Sequence, residues 1–465
     1  MTRKLLVSAL LSLLPALAQA AELDGASLSL LWALPFCGIL LSIALFPIFA
    51  PGLWHHHFGK ITALWSVLFL LPFTLAFGPG STASLVAHAL LTEYLPFIVL
   101  LLALYTVSGG ILLWGNLHGS PRLNTVLLAA GTLLASVMGT TGAAMLLIRP
   151  LLKANDNRRH NVHVVVFFIF LVANVGGGLT PLGDPPLFLG FLKGVDFFWT
   201  VRFMGLPVLA AALALLAVFY LVDSYYYRKE GVLPRDPSPD TPLRLYGQFN
   251  FLLIAGVVGA VLLSGLWKPG LSIDVLGTPL ELQNAVRDLI LLLIALLSLA
   301  LTPRQVRAGN DFNWAPMLEV GKLFAGIFIT IVPAIAILRA GSDGHLATLV
   351  GLVSGEDGMP VNAMYFWLTG LLSSFLDNAP TYLVFFNLAA GDAQLLMKEL
   401  PQTLLAISMG AVFMGAMTYI GNAPNFMVKA IAEQRGVAMP GFFGFLLWSG
   451  VILLPLFAGL TWLFF

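Results

Sequence analysis

The stretch TPLGDPPLF, Thr180 to Phe188, decides how this chain folds. It closes a run, Asn161 to Gly183, that contains no Asp, Glu, Lys or Arg. A carboxylate and two prolines then interrupt the apolar sequence at Asp184, Pro185 and Pro186. Proline donates no backbone hydrogen bond, and the glycines Gly176 to Gly178 loosen the helix before it. The sequence therefore predicts a helix that breaks inside an apolar environment.

The rest of the chain says what that environment is. Of 465 residues, 59% are hydrophobic and 10% are charged, against about 25% charged in a soluble domain. Mean hydropathy is +0.93. The single cysteine, Cys37, excludes a disulfide within the chain and a cysteine-built metal cage. The net charge of +1 gives no footprint for nucleic acid. These observations predict an all-α polytopic membrane protein.

Arg3 and Lys4 precede the apolar run Leu5 to Leu17, and Ala18 and Ala20 follow with small-residue spacing. We read residues 1–20 as a secretory signal peptide. Stretches of the length needed to cross a bilayer are 27–50, 58–77, 93–115, 161–192 and 200–227, then 248–268, 283–302, 317–340, 401–431 and 441–464. Two further apolar stretches, 121–153 and 360–391, carry MGTTG and LDNAP in their middles. The segment 228–247 is rich in proline and charge and reads as a cytoplasmic linker loop.

Displaced by 238 residues, the sequence matches itself. Asn124 falls on Asn362, Ser136 on Ser374, Gly177 on Gly415, Thr180 on Thr418, Gly183 on Gly421 and Pro186 on Pro424. TPLGDPPLF thus lies over TYIGNAPNF without a gap. The match divides the chain into repeats at 25–227 and 248–465. If 121–153 and 360–391 enter and return on one side, each half crosses five times and the second repeat is inverted. Lys60, Arg122, Lys153, Arg158, Arg159, Arg228, Lys229, Arg235, Arg244, Arg304, Arg307 and Arg435 then share the cytoplasmic side, as the positive-inside rule expects.

Interrupted backbone at membrane depth is tolerated where it lines a cavity, and half-helix ends offer their free N–H and C=O groups to a ligand. Four breaks, two per repeat, are expected to converge. They bring Thr140, Thr141, Asn174, Thr180, Asn378, Thr381, Thr418, Asn422 and Asn425 as oxygen ligands, with the carboxylates Asp184 and Asp377. Asp184 lies over Asn422 and Asp377 over Gly139, so the acids are not repeated. A membrane-buried carboxylate is a functional candidate by default, and burial beside a like charge favours its protonated form. Such a pair suits exchange of protons for a hard cation, Na⁺ or Li⁺, held as a metal ligand set by Asp184 and Asp377. The competing structural reading has Asp184 capping the half-helix that follows it.

Other polar residues are assigned lesser roles. His55 to His57 are expected in a short interfacial loop, Glu93 and Glu319 at helix N-termini, and His160 and His163 at a solvated membrane surface. No nucleophile elbow or helix-spaced Ser-His-Asp set is present, so the chain is read as a transporter and not an enzyme.

TPLGDPP, SSFLDNAP and GNAPN resemble the ion-transporter superfamily of NhaD-type sodium/proton antiporters, ArsB-type arsenite carriers and CitMHS citrate transporters. The resemblance extends over nearly the whole chain after residue 25, and is strongest to bacterial proteins described as citrate transporters or sodium:proton antiporters. It implies scaffold and transport domains, two re-entrant hairpins, a homodimer in the bacterial inner membrane and central roles for Asp184 and Asp377. The first hairpin departs from the pattern, with MGTTG where relatives carry an acid–Asn pair. The expected activity is Na⁺(Li⁺)/H⁺ antiport; the alternative is cation- or proton-coupled transport of citrate or a related organic anion. No cofactor is expected beyond the coupling ion, and no partner beyond the bilayer, the transported solute and a second copy.

Overall fold

The computed structural model describes residues 23–232, 241–341, 344–356 and 358–465; the expected signal peptide lies outside them. The chain is almost wholly helical. The first half contains α1 (Leu34–Phe49), α2 (Pro51–His88), α3 (Leu95–Ser108), β1 (Leu112–Trp114), α4 (Pro121–Met138), α5 (Thr140–Ala154), α6 (Val162–Leu171), α7 (Pro185–Leu192) and α8 (Phe197–Glu230). Then come β2 (Arg244–Tyr246), α9 (Phe249–Leu266), β3 (Ser272–Val275), β4 (Thr278–Glu281), α10 (Leu282–Leu301), α11 (Arg304–Gly309) and α12 (Ala315–Arg339). The chain finishes with α13 (Ala347–Val353), α14 (Asn362–Phe375), α15 (Asn378–Leu388), α16 (Ala393–Lys398), α17 (Pro401–Met414), α18 (Ala423–Gln434) and α19 (Phe442–Phe464). Among the described residues, nine helical stretches are long and apolar enough to cross a membrane. This is an all-α polytopic membrane protein.

Long-range hydrogen bonds fix which helix ends lie together. At one end, Tyr105 Oη donates to the Asn313 carbonyl at 2.6 Å and Asn250 Nδ2 to that of Gly110 at 2.9 Å. Ser298 Oγ donates to the Thr106 carbonyl there at 3.3 Å. Asn124 and Asn155 exchange amide hydrogen bonds of 2.9 Å, so both ends of the α4–α5 hairpin meet. We call this the basic end, because Arg158, bonded to Asn155 Oδ1, and Arg307, bonded to the Thr106 carbonyl, lie there. At the opposite end, Arg339 Nε donates to Asn387 Oδ1 at 2.8 Å, joining α12 to α15. Thr403 Oγ1 donates to Asn362 Oδ1 at 2.8 Å, joining the starts of α17 and α14. The two hairpins, α4–α5 and α14–α15, therefore enter from opposite ends.

Several elements differ from the sequence expectation. The stretch expected to stop at 77 does break there, at Gly78, whose φ of 85° falls where glycine is preferred. The chain does not leave the helical path before 93, however, but continues helically through Pro79–His88 and a π-turn at Ala89–Tyr94 into α3. The arms on either side of Gly78 pack on α12, through Thr62 beside Gly326 and Phe97 against Phe324 at 4.6 Å. His55 to His57 lie in α2 and not in a loop, because no residue between Gly52 and Gly59 terminates the helix. The linker is not all loop either. α8 continues to Glu230, and Arg244–Tyr246 pairs antiparallel with Leu112–Trp114.

Candidate functional site

The helix begun by α6 does break before Asp184. Val175–Leu179 tightens into a 3₁₀ turn, and Thr180 and Asp184 are extended, with φ of −138° and −144°. At the matched positions, Thr418 and Asn422 have φ of −137° and −150°. The supporting bonds recur as well. Thr180 Oγ1 donates to the Ser136 carbonyl at 2.5 Å, and Thr418 Oγ1 to the Ser374 carbonyl at 2.5 Å. Each hydroxyl also accepts from a backbone N–H two residues on, at Leu182 and Ile420, at 3.1 Å. A Cβ on Gly183 would stand 2.2 Å from the Gly177 oxygen, and one on Gly421 2.6 Å from that of Gly415. Small residues thus let each broken strand cross over itself.

Between the breaks sits Asp184, 1% exposed. Its Oδ1 accepts from Thr140 Oγ1 at 3.1 Å and from Asn422 Nδ2 at 3.0 Å; its Oδ2 accepts from Asn378 Nδ2 at 2.5 Å. Thr140 and Asn378 begin α5 and α15, the returning arms of the two hairpins. One carboxylate is therefore held by both hairpin tips and by the opposite helix break. Asp184 makes no side-chain bond to cap α7, which sets the capping reading aside for this residue.

Asp377 does cap its helix, accepting from the Ala379 N–H at 3.1 Å. It is half-buried and lines the same cavity as Asp184, together with Thr140, Thr141 and Asn422. That cavity has a volume of about 90 Å³ and reaches Tyr105, Pro316 and Met317, toward the basic end. Such a space holds several water molecules. Among the described residues, its lining includes no Lys, Arg or His. The helices α5, α7, α15 and α18 all start at or beside it, so four positive helix termini face two carboxylates. The Asn378 Oδ1 atom is buried with no hydrogen-bond partner among the described residues.

The remaining expected residues hold the breaks in place. Asn174 Nδ2 donates to Asn425 Oδ1 at 2.7 Å, and Asn425 Nδ2 to the Gly415 and Thr418 carbonyls at 2.8 and 2.9 Å. Thr381 Oγ1 bonds back to the Asp377 carbonyl at 2.9 Å. Thr180, Thr418, Asn425 and Thr381 thus spend their polar atoms on backbone or on Asn174, whose own Oδ1 accepts from Asn422 Nδ2 at 3.2 Å. The first hairpin tip lacks an acid for a backbone reason. Gly139 has φ 79° and ψ 151°, a conformation available essentially to glycine alone, whereas Asp377 sits at φ −60°.

Sequence reasoning missed a second buried polar cluster, at the basic end. Arg158 Nη2 pairs with Asp223 Oδ1 at 2.6 Å, His163 Nε2 meets the same oxygen at 2.8 Å, and Asn124 Nδ2 donates to Asp223 Oδ2 at 2.9 Å. Arg158, Asp223 and His163 are 4% exposed or less. His163 is therefore buried and not solvated as expected, because Asp223 on α8 gives its ring a partner out of water.

Broken helices that present paired carboxylates to a cavity within a bundle of spanning helices define a membrane transporter. The chain belongs to the family described as "Putative citrate transport", whose profile matches residues 25–465. It is also similar to an uncharacterized transporter of Synechocystis sp., 26% identical over 59% of this chain and 62% of that protein's length. Uncharacterized transporters of Mycobacterium bovis and Mycobacterium tuberculosis are each 23% identical over 69% of this chain and 71% of their own.

Proposed function

We propose that the protein is a secondary active transporter of the bacterial inner membrane that exchanges Na⁺ or Li⁺ for protons. The observation carrying this reading is the pair Asp184 and Asp377 on one cavity whose described lining offers no basic side chain. Asp184 and Asp377, with the unpartnered Asn378 Oδ1, supply hard oxygen ligands, and either acid takes the proton when the cation leaves. The halves 25–227 and 248–465 act as inverted repeats, with the basic end cytoplasmic under the positive-inside rule. The site is then open inward, through Tyr105 and Met317.

A second reading rests on the four helix N-termini and on the family's description. Each terminus carries about half a positive charge. Together they roughly balance two ionised carboxylates, and binding of a cation or proton at Asp184 or Asp377 leaves the site positive. An organic anion such as citrate then enters with its coupling ion. Purified protein in liposomes with an internal pH dye separates the two. Antiport gives proton release on adding Na⁺ or Li⁺ alone, which Asp377→Asn abolishes. Saturable uptake of labelled citrate, with no pH response to Na⁺ alone, selects the second reading and overturns the first.

A further inference from the structure

A second cavity, of about 190 Å³, lies at the end opposite the basic one, far along the helices from Asp184. Its walls come from the α7–α8 turn, the end of α9, the start of α10 and α16. The α7–α8 turn meets α16 there, Asp196 N–H lying 3.2 Å from Met397 Sδ.

Two buried side chains in its lining have unspent hydrogen-bonding atoms. Arg287, 1% exposed, gives Nε to Asp288 Oδ1 at 2.8 Å and Nη1 to Asn284 Oδ1 at 3.1 Å. Its Nη2 is buried with no partner among the described residues. Gln283, 6% exposed, donates Nε2 to Glu281 Oε2 at 2.8 Å, while its Oε1 is likewise buried without a partner. A buried polar atom left unpaired is costly, so a donor and an acceptor unspent on one cavity point to a ligand that offers both.

The charges on the lining narrow the choice. Lys268 is cationic, and Glu281 and Asp196 are anionic, all three exposed at the rim, while Arg287, already paired with Asp288, keeps the free Nη2 donor. A multiply charged anion would meet two carboxylates, and a simple cation would meet Lys268 and the Arg287 donor. A zwitterion satisfies both sets. The rim also exposes large apolar side chains, Leu266 at 73% and Phe198 at 53%, on helices long and apolar enough to cross a membrane.

We infer that this cavity binds the zwitterionic headgroup of a phospholipid, with the phosphodiester on Arg287 and Lys268, the ammonium on Glu281 and Asp196, and the acyl chains along Leu266 and Phe198. The site joins helices of both halves of the chain, so an occupied headgroup bridges α7–α8 to α9–α10. This inference is independent of the solute carried at Asp184.

Native mass spectrometry of the delipidated full-length protein tests it, with phosphatidylethanolamine, phosphatidylglycerol and soluble glycerophosphoethanolamine as probes. Phosphatidylethanolamine is expected to be retained in preference to phosphatidylglycerol. Lys268→Gln and Arg287→Gln are each expected to weaken that retention about tenfold, the equivalent of one charge-assisted hydrogen bond. Lys268 is exposed, so its variant decides the matter if Arg287→Gln does not fold. Competition by the soluble headgroup assigns the recognised chemistry to the phosphodiester–amine itself; its failure to compete assigns it to the intact lipid. Equal retention of the two lipids, or retention unchanged in Lys268→Gln, overturns the inference.

Discussion

Asp184 and Asn422 occupy equivalent positions in the two halves of the chain, and the amide of one donates to the carboxylate of the other at 3.0 Å. The pseudo-symmetric site is thus completed by an asymmetric pair. Two aspartates at these positions would place two charges in hydrogen-bond contact with no shared cation. One acid and one amide instead give a single carboxylate surrounded by donors.

Asp184→Asn keeps the shape and removes that acceptor set. Its amide would present N–H groups to Thr140, Asn378 or Asn422, all of which already donate. A hydrogen bond to a charged group is worth about 1.5–3 kcal/mol, so ion-coupled flux should fall by about ten- to a hundredfold. Asp184→Glu is expected not to restore it, because a carboxylate one methylene longer cannot keep its bonds to Thr140, Asn422 and Asn378 together. Flux in proteoliposomes checks both.

Gly139→Asp would recreate at the first hairpin the acid found at the second. The backbone there, at φ 79° and ψ 151°, disfavours any side chain by about 1–3 kcal/mol. The variant should unfold at lower temperature and should not gain a third coupling acid. Thermal unfolding monitored by size-exclusion chromatography reads the first effect, and ion flux the second.

Thr180→Val and Thr418→Val each remove a hydroxyl that bonds a hairpin carbonyl at 2.5 Å. Each leaves a hairpin carbonyl and a backbone N–H without a partner and should cost about 1–3 kcal/mol, Thr418→Val the more, because its hydroxyl also accepts from the Gly421 N–H at 3.2 Å. Equal or reversed costs, measured by the same unfolding assay, would show that this extra bond bears no load.

Asp223→Ala leaves the Arg158 guanidinium buried without its 2.6 Å partner. Breaking a buried pair from one side costs about 3–5 kcal/mol, so this variant should be the least stable of the set. A double variant, Asp223→Leu with Arg158→Met, should not recover the loss, because Glu230, His163 and Asn124 lose their buried partners as well. The thermal midpoint of each, in detergent, is the measurement.

Much of the site was legible because its signal is local. Gly-Asp-Pro-Pro interrupting an apolar run announces a broken helix, and its near-copy 238 residues later announces a second. The distribution of roles among the polar residues was not legible. Asn174 and Asn425 have the same chemistry as Asn378 and Asn422, yet only the second two donate to Asp184, Asn422 while also holding the Ala173 carbonyl. That division depends on which side of a half-helix each occupies after the break. Asp223 was overlooked because it lies near the end of the apolar stretch 200–227, beside the charged linker. Its partners come from α4, from the loop before α6 and from α6 itself, which only the folded chain brings together.

The small antiparallel ribbon of Leu112–Trp114 with Arg244–Tyr246 stitches the stretch before the first hairpin to the start of the second half. A gene divided within codons 233–240 would encode two polypeptides that each carry one side of that seam. Co-expressed, they should reassemble into a transporter without a covalent tether.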